Sequence, residues 1–394
     1  MIDPQRPIVW LINGHEQYGL QRAMANLALG VRDRGYPVIV ASLAEGDCVT
    51  NLAAEGLDVR VLHLPKPPHY KGSLPQKIRG VLAAREHTKQ FVPVLADKLA
   101  EWSPQVLHWM SPNLIGLAPA VSARLGSLGV WEVPNVLGEG TFGLGARLAA
   151  RPCARHNVLV LANSAYTAEA FAGTGIAPKV FHLAADEHRF DPERVQPIPR
   201  SQLNIPDSAI VFGVVARLEA SKGQLVLLEA LSQLPDPPAE LHLVCVGGDV
   251  NSELAQRLRG FADKHGWQGR LHLLGLTREP ERYYGLIDIP VNAQIHPPEA
   301  FGLSVVEAMM SARPVLVHAL GGPAETVLDS ETGWHVHSPD VNTWRLGIQQ
   351  VLADRTRWPA MGAAARGHAL RHFTIAMQTD RYLRYLEEAV ADRA

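Results

Sequence analysis

The chain is poor in cysteine: Cys48, Cys153 and Cys245 are all it has in 394 residues. They are far apart, odd in number and form no Cys-x-x-Cys, which excludes a disulfide framework and a zinc knuckle. Long apolar runs are missing as well. No uncharged stretch approaches the roughly 18 residues needed to span a bilayer. The first apolar run, Ile8–Ile12, is too short for a signal-peptide core. Charge of one sign is also lacking: 37 basic and 39 acidic residues leave a formal net charge of -2, so no global field favours nucleic acid. The expectation is a protein of the reducing cytoplasm. Two motifs are absent too. There is no Gly-x-Gly-x-x-Gly, which disfavours a dinucleotide-binding dehydrogenase, and no Asp-x-Asp to hold a metal on a diphosphate.

What the chain has is an ordinary globular composition, 47% hydrophobic and 19% charged, long enough for two to three domains. Short apolar runs alternate with longer amphipathic ones. Ile8–Ile12, Val38–Ser42, Val59–Leu64, Val106–Trp109, Val130–Val133 and Val158–Ala162 read as strands. Leu20–Arg34, Ile78–Trp102 and Leu114–Leu125 read as helices. Continuous apolar strands separated by helices predict parallel sheets covered on both faces. Prolines 192, 197, 199 and 206 interrupt this pattern and predict a linker over 184–206. The alternation then resumes with strands at Ile210–Ala216, Leu241–Val246, Leu271–Leu274 and Pro314–Val317. Helices are predicted at Leu225–Leu234, Leu254–His265, from Val305, at Asn342–Leu352 and over Trp358–Val390. The expected architecture is two doubly wound α/β domains, residues 1–183 and 207–372. Residues 373–394 form a closing helix, and a cleft between the domains is the default ligand site.

The sharpest motif is Pro298-Glu299-Ala300-Phe301-Gly302-Leu303-Ser304-Val305-Val306-Glu307-Ala308-Met309. Two carboxylates stand eight positions apart, the first before a helix and the second inside it. A glycine at the turn admits close backbone approach, and a helix N-terminus favours an anion. Carboxylates accept hydrogen bonds from hydroxyl pairs, Glu299 from a sugar and Glu307 from a ribose. Upstream, Arg217 and Lys222 lie in Ala216-Arg217-Leu218-Glu219-Ala220-Ser221-Lys222-Gly223, between a strand and a helix. Two cations five residues apart suit a diphosphate.

These runs, with Gly321-Gly322-Pro323-Ala324-Glu325 and Thr332-Gly333-Trp334, resemble the retaining GT-B glycosyltransferases of family 4, most closely over residues 210–336. The resemblance implies two Rossmann-like domains and retaining transfer of a sugar from a nucleotide-diphosphate donor. The acceptor would be a glycan, a lipid-linked compound or a small molecule, in polysaccharide or glycoconjugate biosynthesis. Donor contacts would come from Glu299, Phe301, Gly302, Leu303, Glu307 and Gly19. Gly19 belongs to Asn13-Gly14-His15-Glu16-Gln17-Tyr18-Gly19, which resembles the loop over the donor phosphates. Arg217 and Lys222 would stabilise the departing diphosphate, so no metal or other cofactor is expected. The closing helix is expected to return to the first domain.

The chain departs from the family at two places, one of them Gln21, where the family often has Glu. At the other, many relatives carry a sugar-contacting His at or near the position of Pro134, in Val130-Trp131-Glu132-Val133-Pro134-Asn135, so that contact is missing here or is replaced by Glu132 or Asn135. Glu132 is then the candidate to face the cleft with a catalytic role. His108 and Asn135 are candidates on the acceptor side, and Gly138–Gly145 is a candidate loop shaping that pocket. Pro134 also keeps open a catalytically silent donor-binding partner, and the fold admits a sugar-nucleotide epimerase or phosphorylase. The pairs His335/His337 and His368/His372 lack a third metal ligand and read as structural. A basic stretch from Lys66 to Lys89, interleaved with Leu74, Ile78, Val81 and Leu82, is the candidate contact with an anionic membrane or a phosphorylated acceptor.

Overall fold

The structure is a computed structural model and describes residues 2–16, 18–67, 74–137, 145–235 and 240–393. Residues 138–144 of the expected acceptor loop, Gln17, Lys71 and the side chains of Lys77 and Arg79 lie outside the described residues. The chain divides into two compact units: Met1–Ala184 with Ile375–Ala394, and Ala185–Thr374.

The first unit runs β1 (Ile8–Ile12), α1 (Tyr18–Asp33), β2 (Val38–Ser42), α2 (Asp47–Ala54), β3 (Asp58–Val61), α3 (Leu74–Ala100), β4 (Val106–Trp109), α4 (Ala118–Leu125), β5 (Leu128–Val133), α5 (Gly145–Arg155), β6 (Leu159–Ala162), α6 (Ala165–Glu169) and β7 (Lys179–Val180). Its strands form one parallel sheet, ordered β3-β2-β1-β4-β5-β6-β7. Every residue of β1 is buried. Val9 and Leu11 join one apolar cluster, and Ile8, Trp10 and Ile12 another. Alternate side chains of a strand point to opposite faces, so both faces of this sheet are covered.

The second unit runs β8 (Ile210–Val215), α7 (Gln224–Ser232), β9 (Leu241–Val246), α8 (Glu253–Lys264), β10 (Leu271–Leu273), α9 (Glu281–Tyr284), β11 (Ile289–Asn292), α10 (Leu303–Met310), β12 (Val315–His318), α11 (Pro323–Thr326), β13 (Gly333–Val336), α12 (Val341–Ala353) and α13 (Trp358–His372). Its parallel sheet is ordered β10-β9-β8-β11-β12-β13. The strand order reverses between β8 and β11. That reversal opens a crevice at the carboxyl ends of the two strands, where open α/β sheets take their ligands.

Three expectations are corrected here. The proline-rich segment is not a bare linker, because residues 185–206 belong to the second unit. Arg200 pairs with Asp288 at 2.8 Å, Asp191 with Arg366 at 2.9 Å, and the Ile198 N–H donates to the Arg282 carbonyl. Prolines keep this stretch from forming a strand or an α-helix, leaving one short 3-10 turn at Arg200–Leu203, and side chains help to fix it. Next, strand β11 has no counterpart in the sequence reading. Pro290 sits inside it, pairing with Gly213 of β8. Finally, the long closing helix is two helices. It breaks at Phe373–Thr374, where the Phe373 carbonyl accepts from the Ala185 N–H. The second of them, α14 (Ile375–Ala391), packs in the first unit. Tyr382 and Leu386 bury themselves in the same cluster as residues of α1, and a Cβ on Gly30 would sit 2.1 Å from the Thr379 hydroxyl. Among the described residues no helix is long and apolar enough to cross a membrane.

Candidate functional site

In the second unit the chain leaves β8, turns through Ala220–Lys222 and enters α7 at Gly223. Gly223 has φ +71°, and a Cβ there would lie 2.0 Å from the Ala293 carbonyl oxygen. Only glycine allows this approach. The Ile295 N–H donates to the Ser221 carbonyl at 2.8 Å, so the turn after β8 is tied to the segment after β11. The result brings together residues 72 to 77 positions apart in sequence. The Lys222 ammonium donates to Glu299 Oε2 at 2.6 Å and to Gln294 Oε1. Lys222 and Glu299 are both about four-fifths buried.

Glu299 is fixed through its backbone. Its carbonyl accepts from the Gly322 N–H at 2.9 Å, and Gly321 (φ +76°) passes so close that a Cβ would lie 2.1 Å from that oxygen. Gly302, in the left-handed region at φ +87°, turns the chain into α10, and no side chain caps that helix start. Leu303 opens the helix, and Phe301 is buried against Phe373. An uncapped helix start with positive dipole beside a lysine suits an anion.

Glu307 lies in the second turn of α10, half-buried. The Tyr284 hydroxyl donates to it at 3.2 Å. Loss of hydration pushes its pKa up to about 7, against the Arg189 guanidinium and the Tyr284 hydroxyl, which pull it down. Arg189 is itself paired with Glu281 at 2.9 Å. Arg217 is exposed just beyond β8 and pairs with Glu219. Tyr284, Arg189 and Gln294 had no signal in the sequence reading. They reach the site from segments with no motif of their own.

The first unit departs further from expectation. Gly19 is the second residue of α1, and open space lies where its Cβ would stand, so its expected donor contact is neither blocked nor built by the unit's own packing. The glycine that tight backbone packing requires in this loop is Gly14 (φ +92°), where a Cβ would lie 2.2 Å from the Ala44 carbonyl oxygen. Glu16 folds back to accept from the Asn13 and Gly14 N–H groups. Glu132 does not face a ligand site: it is 2% exposed, and its Oε2 lies 3.4 Å from His108 Nε2. His108 is itself fully buried, stacked on Trp10, with Nδ1 2.8 Å from the Tyr382 hydroxyl. It is a core residue and not an acceptor contact. Asn135 is exposed beyond β5, and the Pro134 carbonyl accepts from Asn163.

Residues 195–368 match the family described as glycosyl transferases group 1. Over these residues the second unit is similar to group 1 glycosyl transferases. The D-inositol 3-phosphate glycosyltransferase of Corynebacterium aurimucosum is 32% identical over 216 residues, 53% of this chain and 49% of that protein. The lipopolysaccharide 1,2-N-acetylglucosaminetransferase of Salmonella typhimurium is 31% identical over 194 residues, 47% of this chain and 49% of that protein. The chain spans about half the length of these curated relatives. In structure it is similar to Anabaena HepE, crystallised with UDP, with a TM-score of 0.80 over 97% of this chain and 100% of that one at 22% identity. That likeness extends through both Rossmann-like units, so the fold is GT-B, and the match to group 1 glycosyl transferases lies in the second unit.

Proposed function

We propose that the protein is a retaining, metal-independent glycosyltransferase that moves a sugar from a nucleotide-diphosphate donor to a glycan, lipid-linked or small-molecule acceptor. The observation that carries this reading is the Lys222–Glu299 pair, 2.6 Å apart at the strand-order reversal of the second unit. A diphosphate at that crevice replaces Glu299 as the partner of Lys222. The carboxylate, released, accepts hydrogen bonds from the sugar hydroxyls. Arg217 is the second cation: its partner Glu219 sits on an exposed loop, where an ion pair holds weakly. In this proposal the acceptor oxygen attacks the anomeric carbon on the face the diphosphate leaves, and a departing phosphate oxygen takes the acceptor proton. Positive charge already in place stabilises the leaving group without a metal.

The names of the relatives support transfer of a sugar, and the UDP in the HepE crystal supports a nucleotide-sugar donor and makes uridine donors the first to test. Incubation with UDP-glucose, UDP-N-acetylglucosamine and GDP-mannose in EDTA, followed by NMR of the product's anomeric proton, tests the reading. An α-configured product from an α-configured donor supports it. An inverted product, or turnover that requires a divalent ion, contradicts it. A second reading, donor binding without turnover, is favoured by Pro134, which offers no side-chain group where relatives place a sugar-contacting His. Nucleotide binding with no release of diphosphate under any acceptor would select it.

A further inference from the structure

We infer that Gln294 is a positioning residue for Lys222, holding its ammonium where the leaving diphosphate is to be received. This inference rests on the donor-site reading and deepens it. A lysine ammonium is a point charge on a flexible stem with three donors and no geometry of its own. Something must aim it. Glu299 alone cannot do so throughout a reaction, because the same carboxylate is to turn to the sugar hydroxyls. Gln294 can, since its amide oxygen accepts from Lys222 while carrying no charge to oppose the diphosphate.

The residue is built to stay in place. It is 7% exposed, and its amide nitrogen donates to the Pro297 carbonyl. Its backbone N–H donates to Asn292 Oδ1 at 3.3 Å, and its carbonyl accepts from His318 Nδ1 at 2.8 Å. His318 ends β12, and Asn292 ends β11. Two neighbouring strands therefore anchor this neutral side chain on the Lys222 ammonium. With one N–H on Gln294 and one on Glu299, a third points elsewhere, and donor entry frees the second.

The test is a double-mutant cycle read by calorimetric titration with UDP, and with GDP and ADP beside it. Gln294→Met conserves volume and removes the acceptor. Losing a hydrogen bond to a charged group is expected to weaken nucleotide binding about tenfold. In a Lys222→Met background the same change should have no effect, because the group it positions is gone. Gln294→Leu, which also removes the acceptor without adding a charge, covers the case in which the methionine variant misfolds. It should weaken UDP by a similar factor, again only where Lys222 is present. Equal weakening with and without Lys222, or none with it, overturns the inference while leaving the donor site intact. A wild-type protein that binds none of the three nucleotides overturns the donor-site reading itself.

Discussion

His108 Nδ1 lies 2.8 Å from the Tyr382 hydroxyl, across 274 residues of chain. The contact joins β4 to α14 inside the first unit, beneath Trp10 and beside Phe181. It makes the last helix an integral part of that unit. Tyr382→Phe leaves a buried imidazole nitrogen without its partner and should cost about 1–3 kcal/mol. Tyr382→Ala also opens a cavity and should cost roughly 3–5 kcal/mol. Denaturant midpoints of the two variants check the order.

Glu132 belongs to the same buried cluster. Glu132→Gln should therefore lower the melting temperature and leave the rate of transfer per folded molecule near that of the wild type. Activity measured against the folded fraction separates the two effects. A large drop in kcat at unchanged stability would return Glu132 to the catalytic group.

Glu307 gives a pH signature. Its carboxyl pKa is raised from 4.5 to about 7 by burial, so the unfolded chain loses this proton first. Stability contributed by the protonated carboxyl is thus present at low pH and lost as pH rises from about 4.5 through about 7. Glu307→Gln stays neutral throughout, so its melting temperature should gain on the wild type between pH 5 and pH 8. If Glu307 accepts ribose hydroxyls as a carboxylate, nucleotide affinity of the wild type should rise over the upper part of the same interval, and the glutamine variant should lose that rise.

A second pair works in the opposite sense. His242 Nδ1 and His272 Nε2 lie 3.0 Å apart on β9 and β10. Burial, then the neighbouring His242, pushes the His272 pKa down from 6.5 to about 4. Burial, followed by Arg270, lowers that of His242. The unfolded chain takes up protons near pH 6.5 and the folded pair does not, so stability is lost as pH falls from about 6.5 toward 4. His272→Gln keeps a partner for His242 and should flatten this acid limb in a series of thermal melts.

Much of this was legible in the sequence, for reasons that can be named. Strands such as Ile8–Ile12 and Leu241–Val246 are buried on both sides, so they read as unbroken apolar runs. Glu299, Glu307 and Lys222 were visible because their spacing brackets a turn and a helix start. Other features left no trace. β11 was hidden by Pro290, which breaks the pattern that marks a strand. Gln294 was hidden because its partner is 72 residues away and an amide between apolar residues carries no pattern. Glu132 was misplaced for a related reason. On a strand whose two faces are both apolar, no alternation tells which way a polar side chain points, and the fold turned this one toward His108. The prolines of 192–206 marked an interruption of the strand–helix alternation, but nothing local to them records the Arg200–Asp288 and Asp191–Arg366 pairs that hold the segment to the second unit.

In the proposed function, Lys222 and its neighbours receive a nucleotide diphosphate. A thermal-shift titration with UDP, GDP and their sugars, in EDTA, tests it most directly, on the wild type and on Lys222→Ala. Ligand at a hundredfold excess over Kd should raise the wild-type melting temperature by roughly 5–10 °C for one nucleotide family. The Lys222→Ala protein should show little or none of that rise. No shift with any nucleotide, or the same shift in both proteins, would contradict the account.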